Sequence, residues 1–408
     1  MFPELTVTGV PYERGRAYGA AVAPLICHSI ASYARLFALR RGLDWAASQD
    51  EARRYRPLLL GVAPDLLEEM RGIADGAGRE PDEILALNVR TELMAGIGAG
   101  VYHPEGPAAL ARNRAAGVPQ HPEGDDMPAP GDAHLAGLAG DPGPGQVSVR
   151  HPVDDGECTT AAASGAATAG GETLLAQTWD WQGDQRAACV LLRVRAPGEP
   201  ELLTMTEAGM LAKVGLNSAG LAVSLNLLRS RDDGREVGMP VHVLLRKMLQ
   251  ARSFAEARAA AHLAPAAGSS CITLASADGA MVSLELTPGG VAAVEPEQGL
   301  LAHANHCVDP VAAAGECPIE PPSTTRERHG RAWELLRAAR GAIDVALLQS
   351  VLRDHDGDPR CICRHPDLRL PTLDRGESVC GIVLDLGAGV MHVAPGVPCT
   401  VPFTAVAL

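Results

Sequence analysis

Gly156-Glu157-Cys158-Thr159-Thr160 sets one thiol and two hydroxyls at the head of a stretch that alternates like a β-strand. The chemistry a single thiol offers is nucleophilic: as a thiolate it attacks an amide or thioester carbonyl and holds the acyl group covalently. A cysteine at a strand start is ordinarily a small buried hydrophobe, so its surroundings must decide. Upstream of Cys158 lie some fifty residues with too little apolar surface to form a core, and the next strand-like run ends in AQTWDWQ, with Asp180 between Trp179 and Trp181. In a tight hairpin the outer ends of the two strands are neighbours when the register suits; otherwise Asp180 is a strand-end carboxylate capping a turn.

Two further clusters carry chemistry. HANH, from His303 to His306 and followed by Cys307, offers imidazole, amide and thiol groups. As a metal site it is disfavoured, because residues three apart on a strand point to opposite faces. CICRH, from Cys361 to His365, has thiols two apart on one strand face, which suits redox chemistry but reads better as strand packing. Lys213 and Asn217 read as parts of a hairpin, with Asn217 and Gly220 serving its turn.

The elements that must position these groups follow from periodicity. Residues 12 to about 96 repeat apolar residues every three or four positions, with Gly and Pro closing segments, and predict a helical block; Pro81 and the acidic residues after it mark a helix start. From about 101 to 155, Pro, Gly, Ala and Asp dominate without periodicity, predicting a flexible linker, and its two HPEG copies are too short to signal a repeat. After Cys158 the period becomes two, in short runs split by turn signals. Two helical pairs interrupt the strands: one at about 240–263, with Ser253 and Glu256 as a capping box, the other at about 323–353. Asp278-Gly279 marks a hairpin. Strands and helices in separate runs predict α+β with antiparallel sheets covered by helices. No glycine-rich nucleotide fingerprint stands at a strand-to-helix junction.

Composition bounds the rest. The chain has 408 residues, a formal net charge of −14 and only 3% aromatic residues, so the core is aliphatic and no extended phosphate-binding surface is expected. Nucleic acid and membrane are not expected partners, since no segment offers about 18 uninterrupted apolar residues. The start lacks a basic region followed by an apolar one, so a cytoplasmic protein is expected, with its ten cysteines reduced.

Taken together and in order, GIADGAGREPDEILALNVRTEL, ECTT with LLAQTWDWQ, LAKVGLNSAGLAVSLNLL, HANH and CICR resemble the penicillin acyltransferase (acyl-coenzyme A:6-aminopenicillanic acid acyltransferase) family of cysteine N-terminal nucleophile hydrolases. The resemblance spans the chain outside the 101–155 insert. It implies a four-layer αββα sandwich made as a precursor that cuts itself between Glu157 and Cys158. Residues 1–157 become a helical alpha chain and 158–408 a catalytic beta chain, the two from one precursor forming one domain. It further implies that the freed Cys158 is nucleophile and base, that Asp180 orients it, that Asn305 serves the oxyanion hole, that Arg364 is an active-site arginine and that Thr160 gives local support. The implied substrate is a small-molecule acyl amide or thioester, with no cofactor and no metal. An α-amino group of ordinary pKa near 7.7–8.0 can take the thiol proton without histidine.

Two departures stand out. Glu157 occupies the place before the nucleophile, where a small residue would favour cutting, and Cys361 stands where the family often has serine. Two rival readings predict different behaviour: a thiol peptidase with His303 or His306 as base works uncut, and a thiol- and histidine-rich metal-binding protein stays one chain.

Overall fold

The computed structural model describes residues 1–95, 157–319, 321–370 and 375–408. The linker expected at about 101–155 therefore lies outside the described residues. A short first strand, β1 (Glu4–Thr8), precedes seven helices: α1 (Pro11–Ala21), α2 (Ala23–Arg41), α3 (Trp45–Arg53), α4 (Arg56–Val62), α5 (Pro64–Ala77), α6 (Pro81–Asn88) and α7 (Arg90–Ala95). The helical block is as the periodicity predicts, and the acidic start of α6 carries a capping box between Glu80 and Glu83. Small residues set the packing of α1 on α5. A Cβ at Gly15 or Gly19 would lie 2.1 or 2.0 Å from a backbone oxygen of α5, and one at Gly72 or Gly76 would lie 2.1 Å from a backbone oxygen of α1. Only glycine permits that approach. The buried Glu69 carboxylate then ties this layer together, accepting from Arg14 Nε at 2.6 Å and from Arg246 at 2.8 Å.

After the insert come β2 (Thr159–Gly165), β3 (Gly171–Gln182), β4 (Cys189–Arg195), β5 (Leu202–Glu207), β6 (Val214–Asn217) and β7 (Leu221–Leu227). Helices α8 (Val241–Gln250) and α9 (Phe254–Ala260) lead to β8 (Ser270–Ser276), β9 (Met281–Thr287), β10 (Gly290–Val294) and β11 (Leu300–His303). Then α10 (Pro310–Ala314), α11 (Thr325–Ala338) and α12 (Val345–Val351) precede β12 (Gly376–Asp385), β13 (Val390–Ala394) and β14 (Thr404–Ala407). One sheet runs β1-β4-β5-β6-β7-β8-β9-β10 and the other β11-β2-β3-β12-β13-β14. The pairings are antiparallel as expected except β1 with β4, which is parallel. The sequence reading missed β1 and β14, both too short to establish a period.

Alternation explains the layering. Ala161 and Ala163 of β2 and Leu174 and Ala176 of β3 face Ala332, Leu336 and Leu348 of α11 and α12. The opposite faces of the same strands meet the eight-stranded sheet: Thr160 Oγ1 lies 3.2 Å from Ser224 Oγ, and Leu225 N donates to Gln177 Oε1 at 3.1 Å. On the far side of that sheet Tyr33 of α2 donates to Glu207 at 2.5 Å, and Asn88 of α6 brackets Gly209 and Leu211 at 2.9 Å each. The order is helices, sheet, sheet, helices, the αββα sandwich expected.

Candidate active site

Cys158 sits immediately before β2, and the β2–β3 register pairs Thr159 with Thr178. The thiol therefore lies beside the Trp179–Asp180 end of β3, its Sγ 4.0 Å from the Asp180 carbonyl oxygen. Cys158 is 4% exposed. Burial pushes its thiol pKa up to about 12, helped by the nearby Asp180 charge, so in the uncut chain it carries its proton.

Asp180 is held from the neighbouring strand. Ser378 of β12 lies opposite it and donates to Oδ1 at 2.7 Å, whereas the buried Oδ2 accepts from no donor among the described residues. Burial raises the carboxyl pKa to about 8, against the pull of Arg328 and Ser378 and with the push of Glu157. The turn-capping alternative for Asp180 is not what the strand pairing shows.

On the other side, Glu157 is 6% exposed, and its Oε2 is the centre of a cluster of donors. Arg364 Nη1 donates to it at 2.9 Å, Arg328 Nη2 lies 3.3 Å away, and Thr324 donates from its backbone N–H at 3.3 Å and its hydroxyl at 3.2 Å. The segment Cys361–Cys363, expected as a strand, is irregular loop. Its backbone is tied to β12 at Arg364, whose N–H donates to Ser378 Oγ at 3.0 Å while Ser378 N donates to the Arg364 carbonyl.

Arg328 is the hub the sequence reading missed. Its guanidinium donates to the Cys158 carbonyl and to Thr159 Oγ1, each at 2.8 Å, and to Asn305 Oδ1 at 3.2 Å. The signal was present: the buried residues of α11 are Thr325, Arg328, Ala332 and Leu336, so an arginine stands on the apolar stripe of the helix. Asn226 of β7 was also missed. It donates to the Cys158 carbonyl at 3.0 Å and is itself fixed by Thr160, whose hydroxyl donates to Asn226 Oδ1 at 2.7 Å. Thr160 therefore touches the constellation through Asn226. Asn305 lies in the same constellation, but here its Nδ2 donates to the Leu227 carbonyl at 3.0 Å.

The histidines of HANH are committed elsewhere. His303 is fully buried, with Nε2 2.8 Å from Glu285 and Nδ1 2.9 Å from the Ala304 carbonyl. Burial pulls its pKa down, but the Cys271 thiol and the Glu285 carboxylate outweigh that and leave it raised to about 10. Glu285 also accepts from the N–H groups of Val308 and Asp309, so this ion pair clamps the loop that carries Asn305. His306 Nδ1 lies 2.9 Å from Thr325 Oγ1, and burial lowers its pKa to about 3. Neither is placed as a base for Cys158, which removes the geometric basis of the thiol–histidine rival.

The Cys158 side chain opens on a cleft lined by Arg90, Gln177, Trp179, Trp181, Lys213 and Leu225. Lys213, at the head of the β6–β7 hairpin, is also a buried wall of this cleft: its Nζ stands 3.5 Å from the centre of the Trp179 ring and pairs with Glu207. Burial lowers its pKa to about 8 although Glu207 opposes the shift. Arg90 lies over Trp181, 4.9 Å from the ring centre. Asn217 does serve its turn, accepting from the N–H groups of Ala219 and Leu221 at 3.0 Å.

A buried cysteine at the head of an interior strand in an αββα stack, walled by an aspartic acid, two arginines and amide side chains, defines an acyl-transferring enzyme of the N-terminal nucleophile hydrolase type. A sequence model of the acyl-coenzyme A:6-aminopenicillanic acid acyl-transferase family matches residues 167–370, half of the chain, and the chain belongs to that family. It is 27% identical over 383 residues to the 40 kDa form of acyl-coenzyme A:6-aminopenicillanic-acid-acyltransferase from Emericella nidulans, covering 93% of this chain and 89% of that protein. Penicillin V acylase from Agrobacterium tumefaciens superimposes with a TM-score of 0.42 at 13% identity, over 62% of this chain and 86% of its own. A variant of conjugated bile acid hydrolase from Clostridium perfringens gives a TM-score of 0.44 at 12% identity, over 61% of this chain and 92% of its own.

Proposed function

We propose that the chain is a precursor that cuts its own backbone between Glu157 and Cys158, and that the freed Cys158 then hydrolyses or transfers the acyl group of amide-linked small molecules or peptide-like conjugates. In the first step the Cys158 sulfur adds to the Glu157 carbonyl carbon, the C–N bond breaks, and the nitrogen leaves protonated as the Cys158 α-amino group. Water then opens the thioester, releasing the thiol and leaving Glu157 with an α-carboxylate. The clamp of Arg364, Arg328 and Thr324 on the Glu157 side chain holds the acyl half of the bond still while sulfur attacks.

The observation that carries this reading is the Asp180 carboxyl: buried, half-satisfied and beside the thiol in the uncut chain. A buried acceptor left without a donor is costly. An α-ammonium group released at Cys158 supplies the missing donor and returns the carboxyl to its charged form, and the amine so oriented serves as base for the thiol. Substrates enter through the cleft of Trp179, Trp181, Arg90 and Lys213. Arg90 and Trp181 carry buried N–H groups without an acceptor among the described residues, which carbonyl or carboxylate oxygens of a bound acyl compound would satisfy. Asn226, which donates to the Cys158 carbonyl, and Asn305, held by Arg328, are the proposed oxyanion donors, and one amide directed at a developing oxyanion contributes about 3–4 kcal/mol. The test is a panel of N-acyl amides and acyl thioesters, offered with and without acceptor amines to the cut and uncut forms. Turnover by the cut form alone supports the reading; equal turnover by the uncut form contradicts it.

A further inference from the structure

The loop after α12 and the turn that follows β13 bring four soft donor atoms to one point. We propose that His355, Cys363, His365 and Cys399 hold one zinc(II) ion in a closed tetrahedral site that fixes the segment carrying Arg364. The ligand atoms of all four residues lie within 4.8 Å of one another. His355 Nε2 is 3.1 Å from His365 Nε2, and Cys399 Sγ is 3.3 Å from the same nitrogen. Around tetrahedral zinc, with bonds of about 2.0–2.1 Å to nitrogen and about 2.3 Å to sulfur, ligand atoms are separated by roughly 3.3–3.8 Å. Hydrogen bonds satisfy such atoms only in pairs, whereas one cation satisfies all four.

The donor set selects the metal. Two thiolates and two imidazoles suit zinc and exclude calcium and magnesium, which take oxygen ligands. With four protein ligands no position stays open for water, so the ion is structural. Binding releases the two thiol protons to solvent. Backbone hydrogen bonds already hold the ligands in place: Cys363 N donates to the Asp354 carbonyl at 3.0 Å and His365 N to the Pro359 carbonyl at 3.2 Å. Between the two ligands Cys363 and His365, Arg364 sends its guanidinium to Glu157, 2.9 Å away. A metal on one side of the loop and Ser378 on the other would hold that arginine in register across a segment with no strand pairing of its own.

The full-length protein is produced in zinc-supplemented medium, and its metal content is measured by elemental analysis beside the exposed-ligand variant His355→Ala/Cys399→Ser. About one zinc per chain is expected in the wild type, with at least a tenfold loss in the variant. Cobalt(II) reconstitution of the wild type gives thiolate-to-cobalt charge-transfer bands that the variant lacks. As a control against misfolding of the variant, the wild type is also titrated with a zinc-binding dye while its thiols are alkylated, and zinc release must track modification of Cys363 and Cys399. Wild-type protein with under a tenth of an equivalent of zinc, or with these two cysteines joined as a disulfide, overturns the proposal, as does zinc fully retained by the folded variant.

Discussion

Arg364, tied to β12, and Glu157, at the head of β2, meet with a guanidinium–carboxylate contact of 2.9 Å, so the side chain before the cysteine is held by a residue more than two hundred positions away. The glutamate that looks unfavourable for cutting on sequence grounds is therefore an anchor. Glu157→Ala leaves Arg328 and Arg364 buried without their shared carboxylate, and removing one partner of a buried ion pair costs about 3–5 kcal/mol. In a Cys158→Ala background the variant should melt at a lower temperature. In the active background, time courses on denaturing gels should show self-cleavage slowed at least about tenfold, a loss of roughly 1.4 kcal/mol in transition-state stabilisation.

Asp180 sets a pH dependence on the uncut chain. Its carboxyl has a pKa of about 8 in the folded state against an ordinary 3.8, so between these values the folded state holds a proton the unfolded state has lost. Stability must therefore fall as pH rises through that window and level off above it. In Cys158→Ala protein, an added Asp180→Asn change should flatten this fall, and denaturant titrations at pH 5 and pH 8 measure the difference. Equal slopes with and without Asp180 would contradict the assignment.

Lys213 belongs to the cleft and lies outside the Glu157 clamp. Lys213→Met should leave the precursor competent to cut while lowering kcat/KM for acyl substrates about tenfold or more, as expected for loss of one charged contact. Steady-state kinetics on fully cut protein check it.

His306 is neutral around pH 7 and engaged with Thr325. His306→Ala should keep cleavage and turnover within a few-fold of wild type. Loss of both by more than about a thousandfold would instead restore a thiol–histidine pair.

How much of this was legible in the sequence follows from the range of each signal. Cys158, Asp180 and their hairpin could be read because they are joined by one turn, and the register then did the rest. Arg328 escaped because its meaning depends on α11 packing against β2, although its place on the apolar stripe was a usable sign. The loop at Cys361–Arg364 was misread as strand because two buried thiols and an isoleucine imitate alternation, while the backbone there is tied to Asp354, Pro359 and Ser378. Lys213 read only as part of a hairpin, since the cleft is shown only by its three-dimensional pairing with Glu207 and Trp179. Cys399 gave no sequence sign at all of meeting His365, which lies on a separate loop.

The close approach of α1 and α5 offers a control on the scaffold. Gly72→Ala puts a methyl 2.1 Å from the Tyr12 carbonyl oxygen and should destabilise by about 1–3 kcal/mol. Gly61→Ala on α4 meets nothing within 4 Å and should be neutral or stabilising by up to about 1 kcal/mol. Thermal melts of the two variants side by side decide it.

The most direct measurement of the central claim is the intact mass of freshly purified wild-type protein beside Cys158→Ala. The account predicts two polypeptides for the wild type, residues 1–157 and 158–408, the second beginning with a free cysteine amine, and a single 42.4 kDa chain for the variant. A wild type that stays whole while turning over acylated substrates would contradict it.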